Sequence, residues 1–244
     1  MTVIHTAPAR YTPTEFEAAV LALRPAIAVF DCDGTLWSGD SGYGFMVWSI
    51  EAGLVSRSAS DWIDSRYRLY LNGEVSETEM CGEMVQLYAG LQESELRHAA
   101  ADYFHSHVEA HIFPEMHALV EKLRTQGADI WAVSSTNNWV IEEGVRSFAI
   151  PPVRVLAAQV KVVEGRITSD LIDVPSGDGK SAALRHAGIE RPDAVFGNSI
   201  HDAAMLRIAR RAFPVNPTAA LLEIAGDYGW SVFCPGSVLT DSKQ

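Results

Sequence analysis

The chain has 244 residues, 48% of them hydrophobic, enough for one large domain or for a core with a smaller insert. A formal net charge of −12 with no basic stretch to offset it argues against a nucleic-acid or anionic-membrane partner. Cys32, Cys81 and Cys234 offer no paired framework, Met1 to Pro13 lacks the apolar run of a signal peptide, and no run of about 18 apolar residues spans a bilayer, so a cytoplasmic protein is expected.

In chain order, Thr12-Pro13-Thr14-Glu15 reads as a capping box with proline at the first helical position, opening a helix that Pro25 ends. Ala26 to Phe30 is a continuous apolar run, the mark of a parallel strand buried on both faces. From Trp37 to about Ile112 the strand and helix alternation stops. Helix starts at Ser58-x-x-Asp61 and Ser76-x-x-Glu79, with breaks at Asn72-Gly73 and Gly90, predict an inserted bundle of about four helices. The alternation resumes at Phe113-Pro114. Met116, Leu119, Val120 and Leu123 lie on one helical face, and Gly127 precedes a strand over Ile130–Val133.

A helix is then predicted over Trp139–Phe148, a strand over Val153–Val160, and a hairpin turn at Glu164-Gly165. Further helices open at Lys180, Asp202 and Thr218, between strands at Ala194–Phe196, Ala212–Val215 and Trp230–Phe233. Strands separated by helices imply a doubly wound parallel α/β sheet. The expected division is a core of residues 1–37 and 113–244 with an all-helical insert at 38–112.

The chemistry concentrates where the first strand ends, in Asp31-Cys32-Asp33-Gly34-Thr35. Strand geometry carried two residues further puts Asp31 and Asp33 on one side, and Gly34 lets the backbone turn and bring amides to an anion. Two carboxylates at a strand's C-terminal end suit Mg²⁺ and phosphate. Cys32 alternates away from them and is expected to be buried as a small apolar residue.

Asp-x-Asp-Gly-Thr resembles the first motif of the haloacid dehalogenase (HAD) superfamily. Three later stretches resemble its others in order: Ile130-Trp131-Ala132-Val133-Ser134-Ser135, then Lys180 in Ser176-Gly177-Asp178-Gly179-Lys180, then Gly197-Asn198-Ser199-Ile200-His201-Asp202. A helical insert after the first motif resembles the cap of the phosphoserine phosphatase-like branch. The resemblance implies a Rossmann-like core and a Mg²⁺-dependent phosphatase acting on a small phosphomonoester. Asp31 would be the nucleophile and Asp33 the general acid and base, with Ser134 and Lys180 on the phosphate beside Gly34 and Ser135. Asp31, Asp33, Asn198 and Asp202 would hold the metal.

Asn198 stands where the family usually has aspartate. One unit charge fewer at about 4 Å from a divalent ion, at an effective dielectric of about 20, forgoes up to about 8 kcal/mol of attraction. Cheaper desolvation of the neutral amide offsets much of it, so weakened metal binding is expected. The same departure motivates the other function class, a degenerate protein that binds phosphate or metal without turnover. A phosphomutase would use the same core.

Substrate choice falls to the insert. Asp40 sits where phosphoserine phosphatases carry an acidic residue for the substrate amino group, and Arg66 or Arg68 would then pair with the substrate carboxylate. The aromatic residues Tyr43, Trp48, Tyr67 and Tyr70 read first as packing and second as a box for a choline-type cation. His105, His107 and His111 with Glu109 read as a polar helix end, because His105 does not share the face of the other two.

Overall fold

The computed structural model describes residues 7–236. The capping box is present: Thr12 and Glu15 exchange hydrogen bonds at the start of α1 (Pro13–Leu23). Strand β1 (Ile27–Phe30) follows and lies inside a six-stranded sheet of order β4-β3-β2-β1-β5-β6. The other strands are β2 (Asp129–Asn137), β3 (Val155–Val163), β4 (Arg166–Asp173), β5 (Ala194–Gly197) and β6 (Arg211–Pro214). All pairings are parallel except β3 with β4, the hairpin, whose turn takes Glu164 and Gly165 to positive φ.

Alternation along β1 divides the interior. Ala28 and Phe30 face one apolar cluster with Phe16 of α1 and with Met116, Leu119, Val120 and Leu123 of α6 (Pro114–Thr125). Val29 faces the other, with Leu184 of α8 (Asp178–His186), Met205 and Leu206 of α9 (Ala203–Ile208), and Leu221 of α10 (Ala219–Tyr228). Helices on both faces of a mostly parallel sheet make the doubly wound fold expected. Phe30 stacks on Phe196 at 4.2 Å and Phe196 on Phe213 at 5.1 Å, tying β1, β5 and β6 together.

Between β1 and α6 lie four helices: α2 (Ser41–Glu51), α3 (Arg57–Leu71), α4 (Glu77–Gln86) and α5 (Glu93–Tyr103). Ser76 caps α4 through the predicted box, but α3 is capped two residues before Ser58, by Ser56, which accepts the Ala59 amide. The two connections run side by side, with Phe113 N donating to Leu36 O (2.9 Å) and Ser38 N to His111 O (3.0 Å). Phe45, Ile63, Met80, Val85 and Tyr88 of this helical lobe belong to the same apolar cluster as Phe30.

Trp230–Phe233 is not a strand of the sheet. Val232 and Phe233 make isolated bridges to Arg10 and Val215, each too short to form a ladder. The helix predicted over Trp139–Phe148 is α7 (Asn138–Gly144) followed by a 3₁₀ turn.

Candidate active site

The C-terminal ends of β1, β2 and β5 converge where an open α/β sheet binds its ligands. They border a cavity of about 320 Å³ with the helical lobe as its opposite wall. Asp31, Asp33, Ser134, Lys180 and Asn198, from four separated stretches of sequence, all line it.

Lys180 organises the floor. It lies in the first turn of α8, where a cation opposes the helix dipole, yet it is almost fully buried. Its Nζ donates to Asp31 Oδ1 at 2.7 Å and to Asp202 Oδ1 at 2.6 Å. Burial works against its charge, but Asp202 and Asp31 outweigh burial and raise its pKa. Two carboxylates thus share one ammonium, and the floor keeps a negative charge in excess. Burial and the nearby Asp202 push the Asp31 pKa up to about 7, against the opposing pull of Lys180 and of Thr35, whose hydroxyl donates to Asp31 Oδ2 at 2.8 Å.

Asp33 is fixed by three donors. Trp37 Nε1 (2.7 Å) and Ser41 N (2.8 Å) reach its Oδ1, and Thr136 Oγ1 (2.8 Å) reaches its Oδ2. Ser134 Oγ accepts the Thr136 amide at 3.1 Å, which leaves its own proton to donate into the cavity. Two glycines allow the close approaches. Gly34 turns at φ +76°, and a Cβ there would fall 1.8 Å from Asn198 Nδ2. A Cβ on Gly197 would fall 2.6 Å from that of Asp202.

A hard cation fits this donor set. Asp31 brings a carboxylate and Asn198 a side-chain amide to the same cavity, and both carry oxygen, the ligand type that Mg²⁺ prefers. No group of three His, Cys, Asp or Glu side chains is arranged to hold a metal among the described residues, so such an ion would rest on mixed carboxylate, carbonyl and amide oxygens. Asp202 is fully buried beside Lys180. Its Oδ2 accepts the amides of Asn198 (2.8 Å) and Ser199 (2.9 Å), and its Oδ1 is held by Lys180, so its carboxylate is used inside the protein.

The remaining predicted residues separate. Ser135 faces the cavity and donates to Pro175 O at 3.1 Å. Asp40 lines the cavity and caps α2 by accepting the Tyr43 amide at 2.8 Å. Its carboxyl is reached by water but walled by protein, and this desolvation, with the charge of Asp33, raises its pKa to about 6. Arg66 and Arg68 do not line the cavity. Arg66 is held in a fork by Glu83, with Nε 2.8 Å from both carboxylate oxygens.

Cys32 packs in the apolar cluster, and burial holds its thiol well above the ordinary range. His105 bonds Glu109 (3.1 Å) and Glu143 (3.2 Å), while His107 stacks on Tyr103, so the three histidines do not converge. Sequence reasoning missed Thr35, Thr136, Glu77 and His201. Thr35 and Thr136 stand beside motif residues, a legible signal, whereas Glu77 comes from the lobe and had none.

The family model for haloacid dehalogenase-like hydrolases matches residues 28–207. A histidinol-phosphatase of Neisseria meningitidis serogroup C (strain 8013) is 27% identical over 217 residues, 84% of this chain and 97% of that protein. A Bordetella pertussis Tohama I protein of unknown function shares the fold with a TM-score of 0.75 at 22% identity, covering 85% of this chain and 97% of that one. A phosphoserine phosphatase captured as a phospho-aspartyl intermediate analogue superposes with a TM-score of 0.55 at 13% identity, covering 86% and 92%. With the match running from β1 through β5 and taking in the helical lobe and all four motifs, the chain is an enzyme of the haloacid dehalogenase-like hydrolase family.

Proposed function

We propose that this enzyme is a Mg²⁺-dependent phosphatase that hydrolyses a small phosphomonoester through an aspartyl-phosphate on Asp31. The observation that carries the reading is the Lys180 ammonium held 2.7 Å from Asp31 on a cavity that Asp33 and Ser134 also face. The histidinol-phosphatase relative supports the reaction class.

Asp31 attacks phosphorus, and the bond to the leaving oxygen breaks. Asp33, oriented by Trp37, Ser41 and Thr136, gives the departing alkoxide its proton. Asp33 then takes a proton from the water that opens the aspartyl-phosphate, and both carboxyl groups return to their starting states. Lys180 and Ser134 hold the phosphoryl oxygens. Asp31, the Asp33 carbonyl and Asn198 would hold Mg²⁺, which when bound offsets charge on the phosphate. A protein that only bound phosphate would not need Asp33 held in three hydrogen bonds on the cavity that Asp31 lines.

The lobe, residues 38–112, acts in this reading as the cap that selects the leaving group. Asp40 supplies a carboxylate at the cavity, Tyr43 and Tyr67 stack at 4.7 Å beside it, and Arg66 is engaged by Glu83. A substrate amino group or other cation therefore has a partner, while the carboxylate of phosphoserine has none from Arg66 or Arg68. This favours a cationic phosphomonoester without a carboxylate, against the arginine pairing expected from sequence.

A screen of phosphoserine, phosphoethanolamine, phosphocholine and glycerol phosphate, with Mg²⁺ and with EDTA, tests the assignment. Turnover that needs Mg²⁺ and disappears in Asp31→Asn with the melting temperature retained is expected. Near wild-type activity of that variant would overturn the mechanism, and preference for phosphoserine would overturn the substrate class.

A further inference from the structure

Two cavity residues have no part in that chemistry, Glu77 and His201. Glu77 is the first residue of α4 in the lobe, and His201 lies in the 3₁₀ turn Ile200–Asp202 after β5. The His201 Nε2 meets Glu77 Oε2 directly. The other oxygen, Oε1, accepts Ser176 Oγ at 2.8 Å and lies 3.5 Å from Ser135 Oγ. One carboxylate from the lobe therefore meets three segments of the sheet half. Those segments carry the working groups: Ser135 follows Ser134, Ser176 precedes Lys180, and His201 lies between Asn198 and Asp202.

Met80, one turn along α4, packs into the apolar cluster that also holds Phe30, and further attachments lie toward the other end of the helix. Gly82 sits against Leu171 and Val174, Gln86 Nε2 donates to Ser169 O at 2.7 Å, and beyond the helix Gly90 N donates to Ile167 O at 2.8 Å. Ile167 N returns a bond to Leu91 O at 3.0 Å. That end is joined to the β3–β4 hairpin by backbone and apolar packing. Ahead of Met80, the first turn over the cavity is joined through a polar side chain that is partly exposed, and that contact can break while Met80 stays packed. Arg66 from α3 grips Glu83 one face along the same helix, so α3 and α4 are tied together.

We infer that Glu77 and His201 are a positioning pair: their contact holds the N-terminal end of α4 down on the loop carrying Asn198 and Asp202, and so sets the closed position of the lobe over the substrate. The kinetic consequence rests on the phosphatase reading, but the contact does not. Glu77 has both oxygens engaged by the sheet half, which separates it from Asp40 as a partner for substrate.

Glu77→Gln, His201→Gln and the double variant of the full chain test this by hydrogen exchange and by steady-state kinetics on p-nitrophenyl phosphate. Each single change is expected to speed exchange in both residues 77–86 and 199–206, although the segments belong to different halves. KM should rise about fivefold, more than kcat falls, with the double variant no worse than the worse single one. Exchange that rises only around the substituted residue, or effects that add in the double variant, would overturn the pairing. A KM effect of Glu77→Gln that His201→Gln does not share would overturn it too, by making Glu77 a substrate ligand. If neither p-nitrophenyl phosphate nor any phosphomonoester of the screen is hydrolysed, the phosphatase reading fails while the exchange result still decides the contact. Should Glu77→Gln fail to fold, His201→Gln poses the same question from the sheet side.

Discussion

At the scale of single residues the site is a problem of charge. Asp31 and Asp202 compete for one ammonium, and Asn198 adds an amide where the family usually adds a carboxylate. Restoring that charge in Asn198→Asp is expected to lower the Mg²⁺ concentration for half-maximal activity about tenfold, the scale of other changes around metal sites. A titration of activity against Mg²⁺ reads it, and an unchanged requirement would mean that residue 198 does not touch the ion.

Asp40 carries the second residue-scale prediction. Its pKa is raised to about 6, so its carboxylate is charged above that pH and neutral below it. A partner for a substrate cation is therefore lost as pH falls, not as it rises. The ratio of kcat/KM for phosphoethanolamine to that for glycerol phosphate should drop about tenfold below that pH, because a charge-assisted bond is lost. The ratio cancels titration common to both phosphates, and Asp40→Asn should make it flat.

At the scale of elements, the strand ends are held in place by aromatic stacking across β1, β5 and β6. Phe196 is fully buried between Phe30 and Phe213, and the next residue is Gly197, whose missing side chain admits Asp202. Phe196→Ala should destabilise by about 3–5 kcal/mol, the range for a buried aromatic truncated to a cavity. Chemical denaturation measures this. A loss under about 1 kcal/mol would mean that the strands do not depend on the stack. The elements also explain the sequence's near misses. Ser56 and Ser58 both precede a helical run, and the choice between them depended on which hydroxyl could reach an amide three residues on.

At the scale of the molecule, the lobe is continuous in sequence and inserted in the fold, yet it does not own a separate apolar interior. Phe45, Met80 and Tyr88 join the cluster that holds Phe30. Lobe and sheet should accordingly unfold together. Tryptophan fluorescence, which reports Trp48 and Trp62 of the lobe and Trp131 of the sheet among others, and far-ultraviolet circular dichroism should give one coincident transition in urea. Two separated transitions would make the lobe an independent unit.

The sequence by itself determined the sheet class, the capping boxes at Thr12 and Ser76, the helical insert and the four stretches that meet at the cavity. Those signals are local or periodic: an apolar run into Asp31-x-Asp33, a hydroxyl closing the apolar run of β2, a lysine where a helix dipole disfavours it. Tertiary structure alone decided that Asp202 spends its carboxylate on Lys180 and two amides, that Arg66 turns to Glu83 away from the cavity, and that Glu77 reaches His201. Each of these is a competition among polar partners that lie 3, 4, 17, 22 or 124 positions apart, or on either side of a cleft. A charged side chain can satisfy only the donors and acceptors that folding brings within hydrogen-bond distance, and residue spacing along the chain does not record which those are.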